Sequence, residues 1–150
     1  MTDNYTQISL SFQVGKMVTI NFNGGDITSD AGLLPIREYD EKINFSSAVV
    51  QRLIDRRTSY LVDHKDIDLV RQRIYAIIAG YEDANDAQYL RLDPVFLAVT
   101  GRNKLMPLAS QPTISRFENR VLAKEIISLN RFLLDHYITR AKRHKRGQER

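Results

Sequence analysis

The first 23 residues show the period-two alternation of apolar and polar side chains that is typical of β-strands. Its apolar members form two groups, Ile8, Leu10, Phe12 and Val14, then Val18, Ile20 and Phe22. Gly15-Lys16 lies between the groups and Asn23-Gly24-Gly25-Asp26 follows them, and both are turn-forming sequences. We therefore predict a short β-hairpin that forms an N-terminal arm over residues 1–23.

From residue 24 onward, the apolar residues recur at the spacing of helices. Thr28-Ser29-Asp30 and Ser46-Ser47 predict helix starts, because their side chains can accept the free N–H groups of a first turn. The clearest helix is predicted from Asp66 to Gly80. Its apolar face comprises Ile67, Val70, Ile74, Ile77 and Ile78. Another helix is predicted from Asp93-Pro94 to about Gly101.

The longest predicted helix begins at Pro112 and extends to about Arg143. At 100° per residue, its apolar side includes Leu122, Ile126, Leu129 and Leu133. A separate polar side carries Thr113, Arg116, Arg120, Lys124 and Arg131. Together these elements predict a mainly α fold, a single multi-helix domain with a short N-terminal β-hairpin and a long C-terminal helix.

The positive charge of the chain is concentrated near its C-terminal end. The 150 residues have a formal net charge of +4, whereas residues 131–150 alone carry seven basic and two acidic side chains. Such asymmetry predicts either a contact with nucleic acid or a solubilising tail. We therefore divide the single domain into the arm, a helical body over residues 24–139 and a basic tail over residues 140–150.

Composition disfavours secreted and membrane proteins. The chain has no cysteine, which argues against disulfides and thiolate metal sites. The opening sequence has no basic segment before an apolar run, and no stretch approaches the roughly 20 apolar residues that span a bilayer. We expect a cytoplasmic protein with no membrane contact.

Candidate catalytic chemistry is weak. The three histidines, His64, His136 and His144, do not have the spacing of a helical metal site. Clustered carboxylates could support two-metal chemistry. However, several of them stand at predicted helix starts, where the positive end of the helix dipole stabilises a carboxylate. These are Asp30, Asp66, Asp86 and Asp93. We expect no active site, no metal and no cofactor in this chain.

DNA binding has a stronger signal in residues 110–119. Ser110 can cap a helix that places Gln111 near its exposed N-terminal end, where helix-turn-helix proteins contact a major groove. Ile114, Phe117 and Val121 are predicted to face the core, and Thr113, Arg116 and Arg120 to point away from it. The pattern predicts a helix-turn-helix-like element near residues 94–120. Pro112 and the long segment from Gly101 to Leu108 depart from that motif, and an ordinary capped helix remains the alternative.

The candidate DNA-binding residues are the polar and basic side chains of this helix and of the tail. They are Gln111, Thr113, Ser115, Arg116, Asn119, Arg120, Lys124, Arg140, Lys142, Arg143, Lys145 and Arg146. Arginine suits guanine edges, while hydroxyl and amide groups suit phosphates.

Six stretches are distinctive when they are taken in their order along the chain. They are Gly24-Gly25, Thr28–Leu34, His64–Tyr75, Ala79–Asp86, Leu90–Pro94 and Leu108–Asn119. Together they resemble the N-terminal region of bacterial insertion-sequence transposases of the DDE type, in the group called transposase DDE domain group 1. The resemblance implies DNA transposition, with recognition of terminal inverted repeats in double-stranded DNA. It also implies strand cleavage and transfer by an RNase H-like core that uses three carboxylates and Mg²⁺.

In that family the first catalytic Asp follows the basic end of the long helix. No position here matches a catalytic motif, so we expect the RNase H-like core to be absent and Mg²⁺ to be needed only by that core. The leading hypothesis is a DNA-binding module, and a contiguous basic face on the folded domain would support it. The second is a protein-interaction module that packs on the catalytic core or a second protomer, and an exposed apolar patch would support it. A complete small nuclease is the third.

Overall fold

The computed structural model describes residues 8–11, 17–20 and 27–148. Two strands, β1 (Ile8–Ser11) and β2 (Met17–Ile20), pair in antiparallel register with Ile8 opposite Ile20. The predicted turn at Gly15-Lys16 and the alternating residues Phe12, Val14 and Phe22 lie outside the described residues. The hairpin arm therefore stays a prediction.

Seven α-helices follow in residues 27–148, and they confirm the mainly α prediction. They are α1 (Leu33–Ile43), α2 (Phe45–Val50), α3 (Asp66–Ile78), α4 (Ala87–Leu90), α5 (Pro94–Thr100), α6 (Gln111–Asn119) and α7 (Ala123–Gln148). Two single 3₁₀ turns, Ser59–Leu61 and Ala84–Asp86, lie between them.

The core has two adjoining parts, both built on α3. In the first, α1 and α5 pack against one side of α3, with Phe96 and Val99 of α5 fully buried. In the second, Ile114 and Phe117 of α6 pack against Leu69 and other apolar residues of α3. Because α3 lies between them, it fixes α6 relative to the rest of the body.

A buried polar cluster joins the first three helices. The carboxylate of Asp40 in α1 accepts hydrogen bonds from the Ser46 backbone N–H at 2.7 Å, from the Ser46 hydroxyl and from the Tyr75 hydroxyl of α3. Burial and the neighbouring Asp40 carboxylate raise the pKa of Tyr75, so this phenol stays protonated. Arg37, with 1% of its side chain exposed, pairs with Asp40 and Glu41.

This cluster corrects the predicted start of the second helix. We expected Ser46-Ser47 to cap it, but α2 begins at Phe45 after Asn44, which adopts a left-handed conformation with φ of 54°. Ser46 donates its hydroxyl to Asp40 instead. The bond to Asp40, six residues earlier in the chain, therefore replaces the predicted cap.

Of the predicted caps at the other helix starts, one is confirmed and two are wrong. The side chain of Asp93 accepts from the N–H groups of Val95 and Phe96, as expected for a cap. Asp66 instead lies inside the first turn of α3 and makes no side-chain cap. Helix α1 begins only at Leu33, and the Asp30 carboxylate accepts from the Tyr81 hydroxyl at 3.1 Å.

Helix α3 ends as predicted, but its buried face differs from the prediction. Gly80 has a φ of 92°, and the Tyr81 N–H reaches the Ala76 carbonyl at 2.8 Å, the bond that closes such a C-terminus. However, Ile77 and Ile78 are each 50% exposed. The buried residues are Asp66, Leu69, Val70, Gln72, Tyr75 and Ala76. The predicted apolar face was therefore partly wrong, because α3 carries apolar residues around most of its circumference.

The predicted single helix from Pro112 to Arg143 is also wrong, since residues 120–122 separate α6 from α7. The carboxylate of Glu125 accepts the Leu122 N–H at 2.7 Å, which caps the start of α7 from its third residue. The same carboxylate accepts the Ile54 N–H at 2.8 Å. These bonds anchor the start of α7 to the chain just after α2.

Candidate nucleic-acid interface

Helix α6 is held in place from both of its ends. At its start, the Gln72 side chain exchanges two buried hydrogen bonds with the backbone of Ala109, at 2.9 and 3.0 Å. Ser110 is the extended N-cap residue, as predicted, and its carbonyl accepts the N–H of Thr113 and Ile114. Its hydroxyl contacts the Thr113 hydroxyl at 3.2 Å rather than a backbone N–H. The N-terminal end of α6 is therefore fixed mainly by tertiary contacts.

The buried side of α6 is the predicted one. Ile114 and Phe117 are buried, whereas Val121 lies beyond the end of the helix and is half-buried. Since successive residues turn by 100°, the opposite side of the helix carries Arg116 and Asn119. This side faces solvent.

The outward row of α6, which we define as Ser115, Arg116 and Asn119, brings three predicted DNA-binding residues together. Arg116 and Asn119 are exposed, and the Asn119 amide donates to the Ser115 hydroxyl at 3.3 Å. Among the described residues, the Arg116 guanidinium has no hydrogen bond or ion pair. Gln111 and Thr113 lie at the flanks of this row and are half-buried.

Arg120 lies in a charged cluster instead of on the outward row. Its guanidinium contacts Asp55 at 2.8 Å and also pairs with the buried carboxylate of Asp66. Arg57 pairs with the same two carboxylates, at 2.7 and 2.6 Å. Hydrogen bonds from Arg57, with a smaller contribution from Arg120, hold the pKa of Asp55 well below its usual range. Arg120 thus fastens the end of α6 to the start of α3, and its charge is compensated.

The break between α6 and α7 divides the predicted polar side of the long helix. Lys124 and Arg131 are exposed on α7, whereas Thr113 and Arg116 belong to α6. The continuous row through Thr113, Arg116, Arg120, Lys124 and Arg131 was therefore a wrong prediction, because it assumed one uninterrupted helix.

The five basic candidates near the C-terminal end all lie on α7, which continues to Gln148 without a break at residue 139. Arg140 stacks over the Tyr39 ring at 5.3 Å, and its Nε donates to His136 at 2.7 Å. Lys142 is exposed. The side chains of Arg143, Lys145 and Arg146 lie outside the described part of the structure. Helical backbone therefore carries this basic segment.

A family model described as transposase DDE domain group 1 matches residues 10–147, well over half of the sequence. The chain belongs to the family transposase DDE domain group 1. The match confirms the resemblance carried by the motifs between Gly24 and Asn119. No curated protein and no solved structure matches this transposase domain.

The predicted helix-turn-helix-like element does not have the geometry of that motif in this transposase domain. Helix α5 ends at Thr100 and α6 begins at Gln111, so the connection runs from Gly101 to Ser110. In a helix-turn-helix the two helices are joined by about three or four residues. The connection is stabilised by its own contacts, including the Asn103 side chain, which accepts from the N–H of Leu105 at 2.9 Å.

The start and middle of α7 are anchored by three residues for which no packing role was predicted, Glu125, Phe132 and His136. Phe132 lies 5.7 Å from the Phe45 ring and beneath the Arg52 guanidinium, at 4.1 Å. His136 is 5.4 Å from Phe45, and desolvation together with the adjacent Arg140 lowers its pKa. Of these anchoring residues, Glu125 could have been found from the sequence, because a Glu at the third position of a helix is a known capping signal.

The described residues of the transposase domain provide neither a metal-binding cluster nor a membrane-spanning helix. Among the described residues of the transposase domain, no three or more His, Asp or Glu side chains are arranged to hold a metal ion. None of the helices formed by those residues combines the length and apolar character needed to cross a membrane.

Proposed function

We propose that this transposase domain binds double-stranded DNA at the ends of its mobile element, with α6 as the reading helix. The observation that carries the proposal is the outward row of Ser115, Arg116 and Asn119 on a helix whose other side is packed against α3. Family membership supports a role in transposition, and transposition requires recognition of terminal inverted repeats.

Each residue of α6 has a distinct proposed role. Arg116 reaches a base edge, because its exposed guanidinium can donate two parallel hydrogen bonds to guanine. Gln111 is the second candidate for base contact, since it begins the helix. Ser115 and Asn119, together with Thr113, contact phosphates and set the register of the helix on the duplex.

The basic segment of α7 supplies the sequence-independent part of the binding. Lys142, Arg143, Lys145 and Arg146 neutralise phosphates, and Lys124 adds to them from the start of α7. Each phosphate contact releases counterions from the duplex, so this term depends strongly on salt. We assign Arg120 and Arg140 mainly to positioning, because Asp66 and Tyr39 already engage them.

We further propose that the 150 residues bind DNA without cutting it. Several prominent carboxylates are engaged in structural contacts, including Asp40, Asp66, Asp93 and Glu125. Cleavage and its Mg²⁺ would belong to an RNase H-like core of the kind that the family uses.

We propose that the domain acts in the cytoplasm.

A second candidate function is a protein-interaction module, and one observation favours it. Helix α7 exposes apolar residues on the side opposite the body, among them Ile127, Leu134 and Tyr137. Exposed apolar patches of several hundred Å² are uncommon on monomers and mark contact surfaces. The two functions are compatible, because they use different surfaces.

The decisive test of DNA reading compares Arg116→Ala with Arg131→Ala, an exposed arginine of α7 that serves as a charge-matched control. Binding to the terminal repeat and to a scrambled duplex is titrated at one salt concentration. Loss of a bidentate base contact costs about 1–3 kcal/mol of discrimination, so Arg116→Ala should lose about tenfold or more on the repeat alone. Equal losses on both duplexes would make Arg116 a phosphate contact. No loss on either would remove α6 from the interface.

A further inference from the structure

Helix α7 carries an apolar stripe that the described residues leave uncovered. We define the α7 stripe as Ile126, Ile127, Leu133, Leu134, Tyr137 and Ile138. Ile127 is 54% exposed, Leu134 59% and Tyr137 71%. At 100° per residue they cover an arc of about 140°, from Leu133 to Ile138, which places them on one side of the helix.

The α7 stripe lies opposite the contacts that hold α7 to the body. Glu125, Phe132 and His136 face α2 and the chain that follows it. At 100° per residue, Leu134 lies about 200° around the helix from Phe132. A partner on the stripe would therefore meet α7 on its free side, without displacing any described contact.

We propose that the α7 stripe is a self-association surface, on which α7 of a second copy of this chain packs in antiparallel orientation. The proposal deepens the second candidate function by naming the partner. In a dimer with a two-fold axis, both copies contribute the same surface to the interface, and most homodimers have this symmetry.

The spacing of the stripe fits a pair of helices. Ile127, Leu134 and Ala141 recur every seven residues, and Asn130 and Tyr137 form a second series three positions later, the repeat of helices that pack side by side. When the two-fold axis crosses the helix pair at the level of Phe132 along α7, Ile127 of one copy lies opposite Tyr137 of the other. Leu134 then lies opposite Asn130. Stripe residues therefore provide both sides of the Ile127–Tyr137 contact, while the polar Asn130 faces Leu134.

The exposed area of the stripe fits a weak, reversible dimer. At roughly half of each side chain's area, the six stripe residues present on the order of 500–600 Å² per copy, at the low end of the roughly 600–1,000 Å² per partner of a standard interface.

The charge of the C-terminal segment favours the antiparallel orientation over the parallel one. Residues 140–148 hold Arg140, Lys142, Arg143, Lys145 and Arg146 and no acidic residue. Parallel helices would place these two basic segments side by side. In the antiparallel pair, the two copies of Arg143 are about 33 Å apart along the helix axis, well beyond the ~8 Å over which charges interact at physiological salt. That separation is also close to one turn of B-DNA, about 34–36 Å.

The first experiment measures the mass of the full 150-residue chain in the absence of DNA, by analytical ultracentrifugation from about 1 to 200 µM. We expect a reversible monomer–dimer equilibrium. Leu134→Glu should weaken dimerisation by at least about tenfold, because it buries an unpaired charge. Thr139→Glu, which adds the same charge at an exposed position outside the stripe, should change it less than about twofold.

A second variant and a fold control keep this result interpretable. Tyr137→Glu lies at the most exposed position of the stripe and should repeat the loss, while circular dichroism shows unchanged helix content in all variants. A protein that stays monomeric throughout the range would overturn the proposal. So would a dimer that both glutamate variants leave intact, since another surface would then mediate it.

The orientation is tested by cross-linking, for which the absence of cysteine provides a clean background. Ile127→Cys and Tyr137→Cys chains are treated with a short thiol cross-linker, separately and as an equimolar mixture. Antiparallel pairing predicts cross-linked dimers in the mixture only, because equivalent residues are then about 15 Å apart along the axis. Cross-linking of each variant alone would overturn the antiparallel arrangement. Because no DNA is present, failure here leaves the DNA-binding proposal to its own titrations.

Discussion

The carboxylate of Glu125 accepts the backbone N–H of Ile54 at 2.8 Å, across a separation of 71 residues. The same side chain also accepts the N–H of Leu122 and pairs with Arg56. One residue therefore caps α7 and fastens it to the chain that leaves α2. This contact determines where the α7 stripe and the basic segment lie relative to the body.

We expect Glu125→Ala to lower the thermal stability of the domain and to loosen α7. Substitution leaves the N–H groups of Ile54 and Leu122 without their acceptor, and unpaired backbone groups are costly. Lys124→Ala removes an exposed neighbour of the same helix and should have little effect. Amide hydrogen exchange provides the measurement, since protection should decrease at residues 122–130 in the first variant only. Equal protection in both variants would contradict the anchoring role.

The buried cluster around Asp40 should contribute strongly to the free energy of unfolding. Asp40→Ala leaves the buried Arg37 without one of its carboxylates and removes the acceptor of Ser46 and Tyr75, for which we expect a loss of about 3–5 kcal/mol. Tyr75→Phe removes a single hydrogen bond and should cost only about 1–2 kcal/mol. Urea unfolding of the two variants gives both values. A larger loss from Tyr75→Phe than from Asp40→Ala would refute this ranking.

The acid stability of the domain should depend on Asp55. Its pKa lies below the unfolded value, chiefly because of Arg57, so its stabilising effect is complete above about pH 4 and is lost as the pH falls further. We expect Asp55→Asn to be less stable than the native chain at pH 6, and the stability difference to be smaller at pH 3. Thermal unfolding at the two pH values measures the change, and the histidines cancel because both proteins contain them. A stability difference that stays constant between these pH values would exclude Asp55 as a source of acid sensitivity.

The basic segment of α7 should determine the salt dependence of DNA binding. Replacing Lys142, Lys145 and Arg146 by Gln should reduce the slope of log Kd against log salt by up to about 2.7, at about 0.9 per phosphate contact. The matched control replaces Lys42, Lys65 and Arg131, three exposed basic residues elsewhere on the domain. Fluorescence anisotropy on a random duplex at several salt concentrations gives both slopes. If the two triple variants behave alike, the segment is only a solvated helix end.

Local chemistry explains the features that the sequence predicted well. Asp93 caps α5, and Gly80 ends α3 in a left-handed conformation, since both devices need only neighbouring residues. The buried positions Ile114 and Phe117 follow from the helical spacing of apolar residues. The order of motifs from Gly24 to Asn119 was enough to identify the family.

Tertiary contacts decided what that local pattern could not. The spacing of residues 112–143 fits one continuous helix, and only the bond from Ile54 to Glu125, together with the cap at Leu122, accounts for the break. Arg120 lies on a polar side in any helical projection, yet the buried Asp66 binds it from 54 residues away. A helical pattern records which residues share a side of a helix. The packing of distant segments selects which side is covered, as it does for Ile77 and Ile78 of α3, because burial depends on the summed contacts of all the elements.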